Sequence, residues 1–208
     1  MKNILTGLIK HQATKYGDRE AVATLQGDEW TPVSWRRMDS DTDTLAAALC
    51  SLGVEPGERI GIFSANRMEM LNVDFAAYAV RAVPIAIYST SSQQQVGYIV
   101  NDASIRLLFA GTRQQYELAR RLMTDGSTTT LRHIVTFDEV ETDPDDTTSM
   151  TFARLMEIGR ESAARYSREV EKRTREAQPD DIATIIYTSG TTGESKGAVL
   201  THACFTAA

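Results

Sequence analysis

Cysteine is scarce in this chain. Cys50 and Cys204 are the only two, and they form no motif with each other or with a histidine. That argues against a disulfide framework and against a cysteine-ligated metal site; two buried, reduced thiols of a cytosolic protein are the expectation. Histidine is nearly as rare, and His11, His133 and His202 are too scattered to suggest metal ligands. Long apolar runs are missing as well. No stretch approaches the roughly 18 apolar residues of a membrane span. The most apolar region, Phe75 to Tyr88, is broken by Arg81 and Pro84. The apolar part of the first ten residues is too short for a signal peptide. Positive charge is not in excess either: 22 Lys and Arg face 28 Asp and Glu, for a net charge of -6. A general nucleic-acid or anionic-membrane surface is therefore disfavoured, although a local basic pocket stays open. No internal repeat and no low-complexity tract is visible.

What is present is ordinary for a soluble globular protein, with 42% hydrophobic and 24% charged residues in 208, enough for one domain or for part of a larger one. Ile4, Leu5, Leu8, Ile9 and Tyr16 share one helical face, so the chain opens on an amphipathic helix. Ala21 to Leu25 and Trp30 to Trp35 flank Gln26-Gly27-Asp28-Glu29 as a hairpin. The next helix turns Leu45, Ala48, Leu49 and Leu52 inward and stops at Gly53. From there short apolar strands alternate with helices. The strands are Arg59 to Ser64, Val83 to Tyr88, Ile105 to Ala110 and His133 to Phe137. The helices are Arg67 to Ala82, Ser92 to Asp102 (with a Ser92/Gln95 capping box) and Thr112 to Met123. This alternation predicts an α/β fold, a largely parallel sheet flanked by helices with a short N-terminal hairpin.

Asp138 to Ser149 is acidic and threonine-rich. Its carboxylates lack the spacing and central glycine of a calcium loop, so a solvated surface loop is the reading. A long charged helix follows. Phe152, Leu155, Met156, Ala163, Tyr166 and Val170 recur at helical spacing, and Arg165, Arg168, Lys172, Arg173 and Arg175 interleave with glutamates as a solvated face.

The most informative stretch comes last. Tyr187-Thr188-Ser189-Gly190-Thr191-Thr192-Gly193-Glu194-Ser195-Lys196-Gly197 lies between two apolar runs, Ile182 to Ile186 and Ala198 to Leu200, which read as strands with partners expected in a longer chain. Such a loop suits a polyphosphate. Glycines let backbone N–H groups approach oxygen closely, hydroxyls add donors, and a lysine adds a mobile point charge. The phosphate loop of nucleotide hydrolases does not fit. Ser195 stands where its second glycine belongs, and Gly197 comes after the lysine in place of Ser or Thr. The run Ala198 to Leu200 is strand-like, so no helix N-terminus faces the phosphates. A ligand-free Gly/Ser/Thr turn is the plain alternative.

The stretch resembles the signature of the adenylate-forming superfamily, Tyr-Thr-Ser-Gly-Thr-Thr-Gly-x-Pro-Lys-Gly followed by an apolar run and Thr-His, here Thr201-His202. It departs from it at Ser195, where proline is usual, and at Ala198, where valine is. Val83-Pro84-Ile85-Ala86-Ile87-Tyr88-Ser89-Thr90-Ser91-Ser92, Tyr98-Ile99-Val100-Asn101-Asp102 and Phe152 to Arg160 resemble the long-chain fatty acid–CoA ligase branch, so the likeness covers nearly the whole chain. The resemblance implies a two-step reaction, in which ATP and a fatty acid give an acyl-adenylate and CoA then takes the acyl group. It implies that Ser189, Gly190, Thr191, Thr192, Gly193 and Lys196 surround the β- and γ-phosphates, that Lys196 is catalytic, and that Thr188 is both a nucleotide contact and a hydroxyl ligand to Mg2+. His202, placed after a strand, reads as structural.

Members of that superfamily run well beyond this length. On this reading residues 1–208 are a partial N-terminal domain, with 1–180 an α/β layer and 181–208 the phosphate-loop segment. The adenine, CoA and acyl pockets and the C-terminal domain would lie elsewhere, and this portion alone would be inactive. The partners implied are fatty acid, ATP and CoA, not nucleic acid. A cytoplasmic enzyme is expected, with peripheral association at the inner membrane face and an oligomeric state left open. Other branches acting on short-chain, aryl or amino acids share the loop, and a non-catalytic α/β binding module is the remaining alternative.

Overall fold

The structure is a computed structural model that describes residues 4–141, 146–188 and 195–206. It opens on α1 (Leu8–Tyr16), the antiparallel strands β1 (Glu20–Gln26) and β2 (Glu29–Ser34), and the long helix α2 (Trp35–Ser51). Ser34 caps α2 by accepting from the Arg37 N–H, which relieves one of the unpaired donors of the first turn. Gly53, at φ +77°, takes the left-handed turn that ends it.

The centre of the molecule is β3 (Arg59–Phe63), α3 (Met68–Ala79), β4 (Val83–Ile87), α4 (Gln93–Asp102), β5 (Leu107–Ala110), α5 (Arg113–Thr124), β6 (His133–Thr136), β7 (Ser149–Thr151) and α6 (Phe152–Glu176). Its strands form a fully parallel sheet in the order β4-β3-β5-β6-β7. The chain leaves β3 first to one side and then to the other, which is the doubly wound arrangement. The expected α/β class, parallel sheet and N-terminal hairpin are all present.

Strand alternation splits the core in two, because successive side chains point to opposite faces. Ile60, Ile62, Phe109 and Val135 pack with Leu45, Leu49, Val73, Ala76 and Leu155 beneath α2, α3 and α6. Phe63, Ile85, Leu108 and Ile134 pack with Val96, Ile99, Tyr116 and Leu122 beneath α4 and α5. Both faces are covered, so these strands are short continuous apolar runs. At Gly159 a Cβ would press into the Thr44 carbonyl oxygen, so α6 can lie against the backbone of α2 only because this position has no side chain.

Three expectations need correction. The acidic segment ends in a strand, β7, whose Ser149 registers with Ile134; three residues carry too little pattern to be read as a strand alone. Arg173 is not on a solvated face. It is 7% exposed and donates to the Val54 carbonyl (2.6 Å), Glu55 (3.1 Å) and Glu169 (2.8 Å), a buried cation stapling α6 to the end of α2. Cys204 is exposed, whereas Cys50 is buried as expected. Among the described residues no helix is long and apolar enough to cross a membrane, and no cluster of His, Cys, Asp and Glu could hold a metal ion.

Candidate functional site: a clamped hairpin

The last elements are β8 (Ile182–Thr188), β9 (Lys196–Thr201) and the short helix α7 (His202–Thr206). β8 and β9 pair antiparallel with each other. Each is the other's hydrogen-bonding partner, so these apolar runs are already paired along one edge within this chain. Register runs from Ile182 opposite Thr201 to Thr188 opposite Lys196. The Thr188 hydroxyl and the Lys196 ammonium thus belong to the last pair at the hairpin's open end, and both residues are exposed. Ser189, Gly190, Thr191, Thr192 and Gly193 lie outside the described residues. Lys196 begins a strand, as the apolar run Ala198 to Leu200 predicts, where a hydrolase-type phosphate loop would begin a helix.

Gly197 has a steric reason within this hairpin. It registers with Tyr187, and a Cβ there would stand 2.8 Å from Ile185 Cγ2 and 3.2 Å from Tyr187 Cζ. The bare backbone of β9 is the surface on which the Tyr187 ring rests.

Side chains fasten the hairpin to the sheet. At its base, the Arg81 guanidinium donates twice to Asp181, at 3.0 and 3.2 Å, in the planar two-point geometry that arginine and carboxylate share. Burial works to raise the Asp181 carboxyl. Arg81 and the Gln178 N–H outweigh it and hold the group below the usual carboxylate range. Arg81 itself sits at φ +62°, an uncommon backbone for a long side chain. In the middle, the Thr184 hydroxyl donates to the Pro84 carbonyl at 2.7 Å, on the outer edge of β4 where proline removes no ladder bond. Near the open end, the Tyr187 hydroxyl donates to Asp102 Oδ2 at 2.6 Å. Burial and that carboxylate together push the Tyr187 phenol above its ordinary pKa. Beneath the hairpin runs a cleft of about 530 Å³ lined in part by Arg59, Arg81, Asp102, Asp181, Tyr187 and Val199.

His202 is structural, as its position suggests. It is 2% exposed, its Nδ1 accepts the Leu5 N–H at 3.4 Å, and its ring meets Tyr78 edge-on at 5.4 Å. Burial lowers its pKa, with Asp181 opposing, so the ring is neutral near pH 7. Sequence reasoning singles out both ends of the hairpin but misses what holds it: Arg81, Asp102, Asp181 and Pro84 carry no mark that pairs them with residues far along the chain.

The general rule for doubly wound sheets would direct a ligand to the crevice at the carboxyl ends of β3 and β5. Here Arg67 fills that position, bonded to Glu69, Asp138 and the Gly111 carbonyl. The hairpin on the opposite side of β4 is the better candidate.

The chain is similar to known proteins along most of its length. Residues 9–208 match the family of AMP-binding enzymes. The long-chain-fatty-acid–CoA ligase FadD15 of Mycobacterium bovis is 37% identical over 173 residues, which are 83% of this chain and 27% of that protein. Fatty acyl-CoA synthetase A of Dictyostelium discoideum is 30% identical over 193 residues, 89% of this chain and again 27% of the relative. The chain thus spans about a quarter of the curated relatives it matches. Among solved structures, a long-chain-fatty-acid-CoA ligase (FadD1) from Archaeoglobus fulgidus superposes with a TM-score of 0.72 at 21% identity, over 95% of this chain and 36% of that one. The anthranilate CoA ligase AuaEII, solved with anthranoyl-AMP, gives 0.74 at 20% identity over 97% and 36%. These last two speak for the fold. With the signature hairpin and the sheet beneath it matched along nearly its whole length, the chain belongs to the AMP-binding enzyme family.

Proposed function

We propose that the protein carrying this chain is a long-chain fatty acid–CoA ligase. A fatty carboxylate oxygen attacks the α-phosphorus of ATP, the bond to the bridging oxygen breaks, and pyrophosphate leaves. The CoA sulfur then attacks the acyl carbon of the adenylate, AMP leaves, and the thiol proton passes to solvent. In the first step charge accumulates on the pyrophosphate, and a cation fixed beside it lowers the barrier. Lys196 is that cation, with Ser189, Gly190, Thr191, Thr192 and Gly193 as the remaining phosphate contacts. Residues 181–208 are the phosphate-loop segment and 1–180 the layer that carries it.

The observation that supports this most directly is the pairing of Thr188 with Lys196 at the open end of the hairpin, in a chain similar to ligases of this name. Mg2+ fits the same end. The Thr188 hydroxyl is exposed and can fill one position of an octahedral oxygen shell, the others coming from phosphate and water. A bound Mg2+ would supply further charge neutralisation on the phosphates. We place the enzyme in the cytoplasm, drawing fatty acid from solution or from the inner membrane face.

The test is ATP–pyrophosphate exchange and thioester formation by the full-length protein, with Mg2+, CoA and a panel of acids. Long-chain fatty acids should support both. Preference for a short-chain, aryl or amino acid would assign a sister branch, and activity with none would remove the ligase reading.

A further inference from the structure

Asp102 occupies an unfavourable place. It is the last residue of α4, whose final turn carries no basic side chain, and a carboxylate at a helix C-terminus meets the negative end of the helix dipole. It has no part in the core. Among the described residues, its hydrogen bond across the chain is the 2.6 Å contact from Tyr187, 85 residues later. Tyr187 is 5% exposed, so without Asp102 its hydroxyl would lose its partner at a nearly buried site. A residue that breaks a local rule and satisfies a distant buried group marks a position held for what it touches.

Tyr187 immediately precedes Thr188 and rests on Gly197, which immediately follows Lys196. One side chain therefore fixes the neighbour of each member of the Thr188/Lys196 pair. The other two fastenings, Thr184 to Pro84 and Asp181 to Arg81, act farther down the hairpin and leave its open end to Tyr187. Asn101, the residue before, ties α4 to the following loop by donating to the Ser127 carbonyl at 2.8 Å and accepting from the Thr129 N–H at 3.1 Å. Asp102 is thus presented from an anchored helix end.

We propose that Asp102 is a positioning residue for the nucleotide site: acting through Tyr187, it sets where Thr188 and Lys196 stand relative to the sheet. The proposal rests on the adenylation reading above. It also joins two stretches that look unrelated in sequence, Tyr98 to Asp102 and Tyr187 to Gly197, into one mechanical unit.

The experiment uses the full-length protein with Asp102→Ala, Asp102→Asn, Tyr187→Phe and the Asp102→Ala/Tyr187→Phe pair. Asp102→Ala and Tyr187→Phe should each raise the KM for ATP in pyrophosphate exchange about tenfold, the size expected for one hydrogen bond to a charged group. The KM for fatty acid should stay at its wild-type value, and Tyr187→Phe, which leaves no buried hydroxyl unpaired and returns the exposed Asp102 to solvent, should keep the wild-type melting temperature. The double variant should be no worse than either single one, and Asp102→Asn, which keeps an accepting oxygen, should recover most of the loss. Amide hydrogen exchange is the second readout: Asp102→Ala should speed exchange in β8 and β9 and leave β3 and β5 unchanged. An unaltered KM for ATP with unaltered exchange in β8 and β9 overturns the proposal. So does a fall in melting temperature with KM unchanged, which would make Asp102 merely structural. If the wild-type protein shows no acid-dependent pyrophosphate exchange, the ligase reading fails, and the amide-exchange comparison alone decides whether Asp102 positions the hairpin.

Discussion

The parallel sheet and the β8–β9 hairpin are built from similar apolar residues and held by different forces. In the sheet, Ile60, Ile62, Leu108, Phe109 and Ile134 are all fully buried, between helices on both faces. In the hairpin, Ile182 is 40%, Ile186 41% and Val199 53% exposed, and specific polar clamps do the fastening. Burial is strong but non-directional; a bidentate ion pair or a short hydroxyl bond is weaker but fixes geometry. The sheet therefore carries the stability, and the hairpin carries the precision that the proposed phosphate site needs. Substitutions in the two regions should separate these properties.

The largest effect is expected in the helix seam. Gly159→Ala puts a methyl group against the Thr44 backbone carbonyl, and backbone cannot rotate away as a side chain can. Separating α2 from α6 should cost about 2–3 kcal/mol, read as a lower urea midpoint, with the ATP dependence of the remaining folded enzyme unchanged. A midpoint equal to wild type would mean that the seam is looser than the structure indicates.

Lys196→Ala is the converse. The side chain is exposed, so its removal leaves no cavity and the urea midpoint should not move. Pyrophosphate exchange should lose ~1.5–3 kcal/mol of transition-state stabilisation, the cost of one charge-assisted contact. Exchange at the wild-type rate would remove Lys196 from the chemistry.

These two residues also show how far a sequence can be read. Lys196 is legible as a candidate because the signature that contains it is a local string. So are the Ser92/Gln95 capping box, which the structure reproduces, and the succession of short apolar strands and helices that builds the parallel sheet. The equivalent Thr112/Gln115 box follows the same local rule. Gly159 is not legible, since a glycine in a helix says nothing of the backbone it will meet. Arg173 looks like one more charge in a charged helix, because burial depends on where the end of α2 falls. Asp102 and Arg81 lie 85 and 100 residues from their partners. Local periodicity has no reach over such distances, and the clamps that position the candidate site are hidden for that reason.

Asp74 sharpens the comparison from α3, the helix that serves both regions. Its face packs into the core beneath the sheet, and Tyr78, one turn on, touches His202 at the end of β9. Burial raises the Asp74 carboxyl to about 7. A carboxyl whose folded value lies above its unfolded one contributes stability that is fully present below the unfolded value, near 4, and lost as pH rises through about 7. Asp74→Asn should therefore leave stability unchanged near pH 4 and raise it at pH 8 by about 1–2 kcal/mol, less than the full shift implies because the group keeps some contact with water. A variant no more stable than wild type at pH 8 would contradict that burial.

The smallest effect belongs to the base of the hairpin. Arg81 and Asp181 are each about a quarter exposed (25% and 26%), so water screens them and the pair should couple by only about 1 kcal/mol. A cycle of Arg81→Gln, Asp181→Asn and the double variant isolates that term. The Asp181 carboxylate also accepts the Gln178 N–H. Asp181→Asn should thus disturb the hairpin more than Arg81→Gln does. Their sites of action should differ as well. Loss of the base pair should speed amide exchange around Ile182 and Thr201 and leave the Thr188 end near wild type, because Thr184 and Tyr187 still hold it. Were exchange to rise equally along both strands, the hairpin would open as one rigid unit, its clamps would not act separately, and the precision assigned to its open end would depend on the whole hairpin.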